Sequence, residues 1–226
     1  MEDNQDPLYR SSERIEMNSF IPDKVATVLE IGCGEGAFGA LFLTNAEKWG
    51  IEPNEKSALR ARSKYDHVFC GFYDDFNESL PNQYFDLVVC NDVIEHMVDH
   101  DQFFDDIKKK IKPNGCLIGS IPNVMYFNSY MKLVALKDWQ YENSGVLDRT
   151  HLRFFTFKSL FRTLKEHQFK IEKFEGINSL FNSNNRFLSK ILAFLSIVLS
   201  FGYYNEVKYK QIGFRISLPK NIDSQS

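Results

Sequence analysis

At 226 residues the chain is long enough for one α/β domain with a sizeable core and short for two. Its 27 Lys and Arg against 30 Asp and Glu leave a net charge of −3, which argues against a nucleic-acid partner. Four cysteines scattered without Cys-x-x-Cys spacing argue against a disulfide framework or a zinc ribbon, and the acidic, polar opening argues against a secretory signal, so a cytoplasmic protein is expected.

Residues 1–24 are polar and punctuated by Pro7 and Pro22, with a short amphipathic helix expected from about Ser12 to Phe20 and Ile15, Phe20 and Ile21 turned to the core. Val28-Leu-Glu-Ile-Gly-Cys-Gly-Glu-Gly36 follows, an apolar run ending in glycines at every second position. It reads as strand, tight turn and helix start, because glycine alone accepts the positive φ of such a turn and lets a ligand approach the backbone. A helix over Ala37 to Thr44 leads to Lys48-Trp-Gly-Ile-Glu52, a second strand whose terminal acid stands where a carboxylate grips ribose hydroxyls. Pro53-Asn54 opens a helix through Arg62, and His67 to Gly71 reads as a third strand. Phe85 to Cys90 is continuously apolar, as a parallel strand buried on both faces should be. Asn91 and Asp92 sit at its carboxyl end, where open α/β sheets hold their ligands.

A helix over Asp101 to Ile111 is stopped by Pro113-Asn-Gly115, and its Lys108 to Lys112 run reads as a solvated end favoured by the helix dipole. Cys116 to Ile121 is a fifth strand, and the alternation so far is that of a doubly wound sheet. Residues 124–147 are rich in aromatics and lead to a helix over Thr156 to His167. Lys170 to Gly176 and Gln211 to Leu218 are the last strands, the latter alternating as an antiparallel strand would. The four cysteines, each in or beside a strand, read as small buried apolar residues.

Three stretches carry a resemblance. Leu29 to Gly36 looks like the first motif of the class I S-adenosylmethionine-dependent methyltransferases, and Asp86-Leu-Val-Val-Cys-Asn-Asp-Val-Ile-Glu-His96 looks like their fourth. Leu147-Asp-Arg-Thr-His-Leu-Arg-Phe-Phe-Thr156 resembles a block of the small methyltransferases of O-antigen and other polysaccharide gene sets, and more distantly of the quinone O-methyltransferases. The resemblance implies an α/β, doubly wound, seven-stranded and mostly parallel sheet; where the family usually joins its last two strands by a short hairpin, this sequence has a helical insertion before the last strand. It divides one domain into an N-terminal cap (1–24), a cofactor-binding core (25–122), an acceptor-side insertion (123–155) and a hydrophobic helical insertion (178–205). S-adenosylmethionine is the implied cofactor, held by Glu30, Gly32, Cys33, Gly34, Gly36, Glu52, Pro53, Asp74, Asn91 and Asp92. Asp75 competes with Asp74 for the adenine amino group, Phe72 or Phe76 could stack on the ring, and Tyr9 and Arg14 could cover it.

The expected reaction is O-methylation of a sugar or glycan-linked small molecule; a phenolic or quinone-precursor acceptor and a catalytically silent cofactor-binding subunit are the alternatives. An alcohol needs a base, and an imidazole near its ordinary pKa of about 6.5 serves at cytoplasmic pH. His151 is the candidate, oriented by Asp148, although the same text also fits a turn cap; His96 is next, ahead of His67 and His167. Tyr126, Tyr130, Asp148 and Arg153 are candidates for the acceptor. His96 and His100 would share a helix face but lack a convincing third ligand, so no metal is expected. Residues 186–204 read as a nineteen-residue helix with Ser189, Ala193, Ser196 and Ser200 along one small stripe, docking on a membrane surface, a second subunit or its own domain.

Overall fold

The computed structural model describes residues 13–183 and 187–219. Seven strands form one sheet: β1 Thr27–Ile31, β2 Glu47–Glu52, β3 His67–Cys70, β4 Phe85–Asn91, β5 Ile111–Pro122, β6 Lys170–Ser179 and β7 Tyr209–Ser217. Their order is β3-β2-β1-β4-β5-β7-β6, and β7 runs antiparallel between β5 and β6. The helices are α1 Ala37–Phe42, α2 Glu55–Ala61, α3 Tyr73–Phe76, α4 His100–Lys110, α5 Phe127–Ala135, α6 Phe157–Glu166 and α7 Phe187–Leu199.

Alternation along the central strands builds the core on both faces. Val88 and Cys90 join Leu29, Ile51, Phe103, Phe104, Ile107, Leu160 and Leu164 in one cluster; Leu87 and Val89 join Val28, Phe38, Met17 and Phe20 in another. All five residues of β1 are buried, as a strand flanked by strands and covered on both faces must be. β7 departs from the expected alternation for the same reason: Gln211 to Phe214 are buried in succession because the strand is central.

Several expectations change. Pro113-Asn-Gly115 does not precede β5 but lies within it, where the register jumps from Phe85↔Ile111 to Leu87↔Cys116. A side chain on Gly115 would come within 2.8 Å of the Phe85 carbonyl, so the chain crosses β4 closely there. In the lysine run, Lys110 is 5% exposed and its ammonium donates to the Leu80 carbonyl (3.0 Å) and Asn82 Oδ1 (2.9 Å), whereas Lys108 and Lys109 pair with Asp105 and Asp106 as a solvated end would. Cys33, Cys90 and Cys116 are buried, but Cys70 is exposed on the edge strand β3. Among the described N-terminal residues, Ile15–Phe20 forms a 3₁₀ helix; Met17 and Phe20 are buried while Ile15 is 65% exposed. Tyr9 and Ser12 lie outside the described residues.

The two insertions, far apart in sequence, pack together. Tyr126, Phe127 and Val146 from the first meet Leu180 and Ala193 from the second, and Val207 just after it. α7 has thirteen residues rather than nineteen, because the chain turns at residues 200–204 and enters the short 3₁₀ segment Asn205–Lys208. No helix among the described residues is long and apolar enough to cross a membrane.

Candidate functional site

Parallel strands place their carboxyl ends along one edge of the sheet, and the glycine turn sits in its middle. Gly32, Gly34 and Gly36 have φ of 71°, 55° and 75°, a region where a side chain is strained. The Gly32 and Cys33 N–H groups donate to the Ile51 carbonyl (2.8 and 3.1 Å), fixing the turn against β2. A side chain on Gly34 would meet nothing within 4 Å, so open space lies over this glycine. Glu52 ends β2 beside it: its carboxylate accepts from Gly34 N–H and Asn54 N–H, both at 2.9 Å, and burial raises its pKa. Asn91, at the end of the adjacent β4, buries both polar atoms of its amide without a partner among the described residues. Backbone clamped open by glycines, an acid at the end of β2 and an unsatisfied amide suit a ligand bearing a ribose and polar groups.

Other expected cofactor residues take different places. Glu30 lies under the turn, 4% exposed, and accepts a short hydrogen bond from the Tyr65 hydroxyl; burial pushes its carboxyl up to about 8. The Tyr65 hydroxyl in turn accepts from Gly39 N–H (3.1 Å) in α1, so this pair braces the helix to the sheet. Cys33 packs with Ala61 and Tyr65, and Pro53 is exposed in the loop before α2. Asp75 accepts from Phe72 N–H (2.8 Å) and caps α3, which leaves the exposed Asp74 as the better ligand candidate. Phe76 packs on Phe69, whereas Phe72 is 69% exposed. Asp92 sits at the strand edge as expected, but its carboxylate is held by Arg14 (2.7 Å), the Ser120 hydroxyl (3.0 Å) and the Gln211 amide (2.7 Å to Oδ1). Instead of lining an open site, Asp92 ties the N-terminal segment over it through Arg14, which also donates a short hydrogen bond to Ser120.

A second cluster forms beyond β4. His151 is 8% exposed; its Nδ1 lies 3.2 Å from the Val146 carbonyl, which requires Nδ1 to carry the proton, and its Nε2 lies 4.0 Å from Glu95 Oε1. Burial first, then the His96 charge, lowers the His151 pKa. Glu95 is fully buried with both oxygens unpartnered, and burial, reinforced by Asp92, holds its carboxyl well above the usual range. The His96 ring stands 4.8 Å from that of His151. One ligand atom from each of Glu95, His96 and His151 lies within 4.8 Å of the others, a donor set able to hold a divalent cation. The residues that stand beside His96 are thus His151 and Glu95, not His100, which turns instead to Phe104 and Phe155.

Asp148 does not orient the His151 ring. Its carboxylate caps the next turn, accepting from Thr150 N–H (2.8 Å) and hydroxyl (2.7 Å), and Glu95 is the acid that faces the imidazole. Arg153 donates to the Val98 carbonyl (2.8 Å), and the Leu152 and Arg153 N–H groups reach the Glu95 carbonyl (2.8 and 3.1 Å); together they dock this block onto the β4 edge. His67 pairs with Glu47, and His167 lies between Asp101 and Asp105, both away from this cluster. Tyr126 is buried in the insertion cluster, and Tyr130 packs 6.1 Å from Tyr204. An open cleft of about 590 Å³ runs along the same sheet edge, lined by Glu16, Tyr126, Asn178, Ser179, Asn182, Ser183 and Lys210.

The Glu52 assignment is testable: Glu52→Ala should weaken binding of the expected cofactor roughly 10- to 150-fold by calorimetry, the equivalent of losing charge-assisted hydrogen bonds of about 1.5–3 kcal/mol. Unchanged affinity in a folded variant would move the ribose elsewhere.

Residues 4–173 match a family model described as a methyltransferase domain. A protein named a probable S-adenosylmethionine-dependent methyltransferase, from Mycolicibacterium smegmatis, is 32% identical over 45% of this chain and 40% of its own length. A ubiquinone biosynthesis O-methyltransferase of Rickettsia bellii is 26% identical over 66% of this chain and 64% of its own. The chain thus spans less than two thirds of either relative. A crystal structure titled as a SAM-dependent methyltransferase from Archaeoglobus fulgidus superposes with a TM-score of 0.64 at 19% identity, covering 92% of this chain and 96% of that one, which shows the shared fold.

Proposed function

Because the chain belongs to the methyltransferase-domain family, we propose that it transfers the methyl group of S-adenosylmethionine to a hydroxyl of a sugar or glycan-linked small molecule. The observation that carries O-methylation is the buried His151, tautomer fixed by Val146, next to an unpartnered Glu95 at the ligand edge of the sheet. The sulfonium methyl is already activated, so the protein chiefly aligns nucleophile, methyl and sulfur, an effect worth about 7–11 kcal/mol. The imidazole would take the hydroxyl proton as the methyl–oxygen bond forms and the methyl–sulfur bond breaks, its electron pair returning to sulfur so that the demethylated thioether leaves.

A hydroxyl-rich acceptor is supported by the lining of the neighbouring cleft. Glu16, Asn178, Asn182 and Lys210 offer donors and acceptors, and Tyr126 supplies an apolar ring beside them. A second reading, O-methylation of a phenolic or quinone-precursor ring, is supported by the ubiquinone-biosynthesis relatives and by the Glu95, His96 and His151 donor set, which could grip adjacent oxygens through a divalent cation.

The test is transfer of labelled methyl from S-adenosylmethionine to nucleotide sugars, lipid-linked saccharides and catechols, with and without chelator. Chelator-insensitive labelling of a saccharide is expected. Labelling of catechols alone would favour the second reading, and intact cofactor binding with no labelling anywhere would assign a silent subunit.

A further inference from the structure

We infer that the outward face of α7 docks on an anionic lipid surface. The inference goes beyond methyl transfer and does not depend on the acceptor. An ordinary surface helix turns its large apolar residues inward and its small or polar ones out. α7 does the reverse. Ala193 is fully buried and Ser189, Ser196 and Ser200 are half-buried against the domain, whereas Phe187, Leu188, Phe194, Leu195, Val198 and Leu199 are 44–78% exposed. At about 100° per residue these six fall within one face of the helix. Phe201, fully exposed, and Tyr203, 70% exposed, continue the apolar surface past its end, and α5, which packs beside α7, leaves Leu133, Val134 and Leu136 exposed. No acidic residue occurs in α7, and its one charged side chain, Lys190, is half-buried and donates to the Phe181 carbonyl (3.1 Å) instead of standing on the apolar face.

Charge points to lipid. Residues 124–137 and 187–210 together hold five lysines and one glutamate, in a chain whose carboxylates otherwise outnumber its cations; one of the five, Lys132, pairs with Glu142, which leaves four against one. Lys158 stands over the Tyr203 ring (5.1 Å to its centroid) next to the end of α7, and Lys210 is exposed. A large apolar face with aromatics at one end and lysines in the flanking segments is the pattern of a helix lying in a negatively charged membrane surface. A second copy fits less well. A two-fold contact through this face would set the flanking lysines of each copy against those of the other, like charge against like. Thirteen residues are too short to span a hydrocarbon core of about 30 Å, so the helix would lie along the surface.

The experiment is sedimentation of the full chain with phosphatidylglycerol-containing vesicles and with pure phosphatidylcholine vesicles, beside a variant carrying Leu188→Ser, Phe194→Ser, Leu195→Ser and Leu199→Ser. The wild type should partition onto the anionic vesicles, and the variant should partition more than roughly tenfold less while its thermal melt and S-adenosylmethionine affinity stay unchanged. Equal partition of the variant, equal partition onto neutral vesicles, or none onto either would overturn the inference. Light scattering decides the remaining occupant: a wild-type dimer that the variant breaks, without vesicle binding, would make this face an interface between copies.

Discussion

His151→Gln is expected to lower methyl transfer by roughly 10²- to 10⁴-fold while S-adenosylmethionine binding stays intact. With Nδ1–H donating to the Val146 carbonyl, the free lone pair of the imidazole is on Nε2, the atom that faces Glu95 across 4.0 Å. Burial lowers the His151 pKa below its ordinary value of 6.5, so the ring is neutral and able to accept a proton at neutral pH. The sign follows: a base works when deprotonated, so kcat/KM rises with pH through the imidazole pKa, and the lowered value puts that limb below pH 6.5. The glutamine variant should lose the limb as well as the rate, a result that a merely structural His151 would not produce. Near-normal turnover with the limb retained would hand proton removal to His96 or to water. A wild-type rate abolished by chelator and restored by a divalent cation would assign Glu95, His96 and His151 to a metal instead.

The glycine turn, β4 and their juxtaposition at the sheet edge were legible because they are local: apolar runs, positive-φ glycines and carboxyl-end polar residues each lie within ten residues of sequence. The contacts that shape the site are not local. Glu30 and Tyr65 are 35 residues apart and Arg14 and Asp92 are 78 apart, so nothing in either neighbourhood names the partner. Asp92 was read as a ligand from its position on the strand, and position was right; occupancy of its carboxylate by Arg14, Ser120 and Gln211 needed three further elements to be folded around it. Glu95 carried a usable signal. An acid set among Val93, Ile94 and Met97 is a candidate for burial, and reading it so would have offered Glu95, not Asp148, as the group facing His151. The length of α7 was overestimated because hydropathy continues through Phe201 and Tyr203, past the point where the backbone turns at Gly202 with φ 83°.

Glu30→Gln should flatten the pH dependence of folding stability, because Glu30 is a buried carboxyl that the fold keeps protonated. Burial raises its pKa from 4.5 to about 8, against the opposing pull of the Tyr65 hydrogen bond, which favours the charged form. Between those two values the folded protein keeps a proton that the unfolded chain releases. The stabilisation is therefore complete below about 4.5 and is lost as pH rises through about 8, a swing of up to roughly 5 kcal/mol at about 1.4 kcal/mol per pH unit. Glutamine keeps the size and an acceptor for Tyr65 but cannot ionise, so its unfolding midpoint in urea should fall less between about pH 5 and pH 8. Tyr65→Phe works in the opposite direction. It removes the hydroxyl that favours ionised Glu30 and strands the Gly39 N–H, so it should cost about 1–3 kcal/mol at low pH and carry the decline on to higher pH than in the wild type. Parallel curves for wild type and Glu30→Gln would show that Glu30 ionises in the fold as it does in the unfolded chain, and that the brace between α1 and β1 does not depend on its proton.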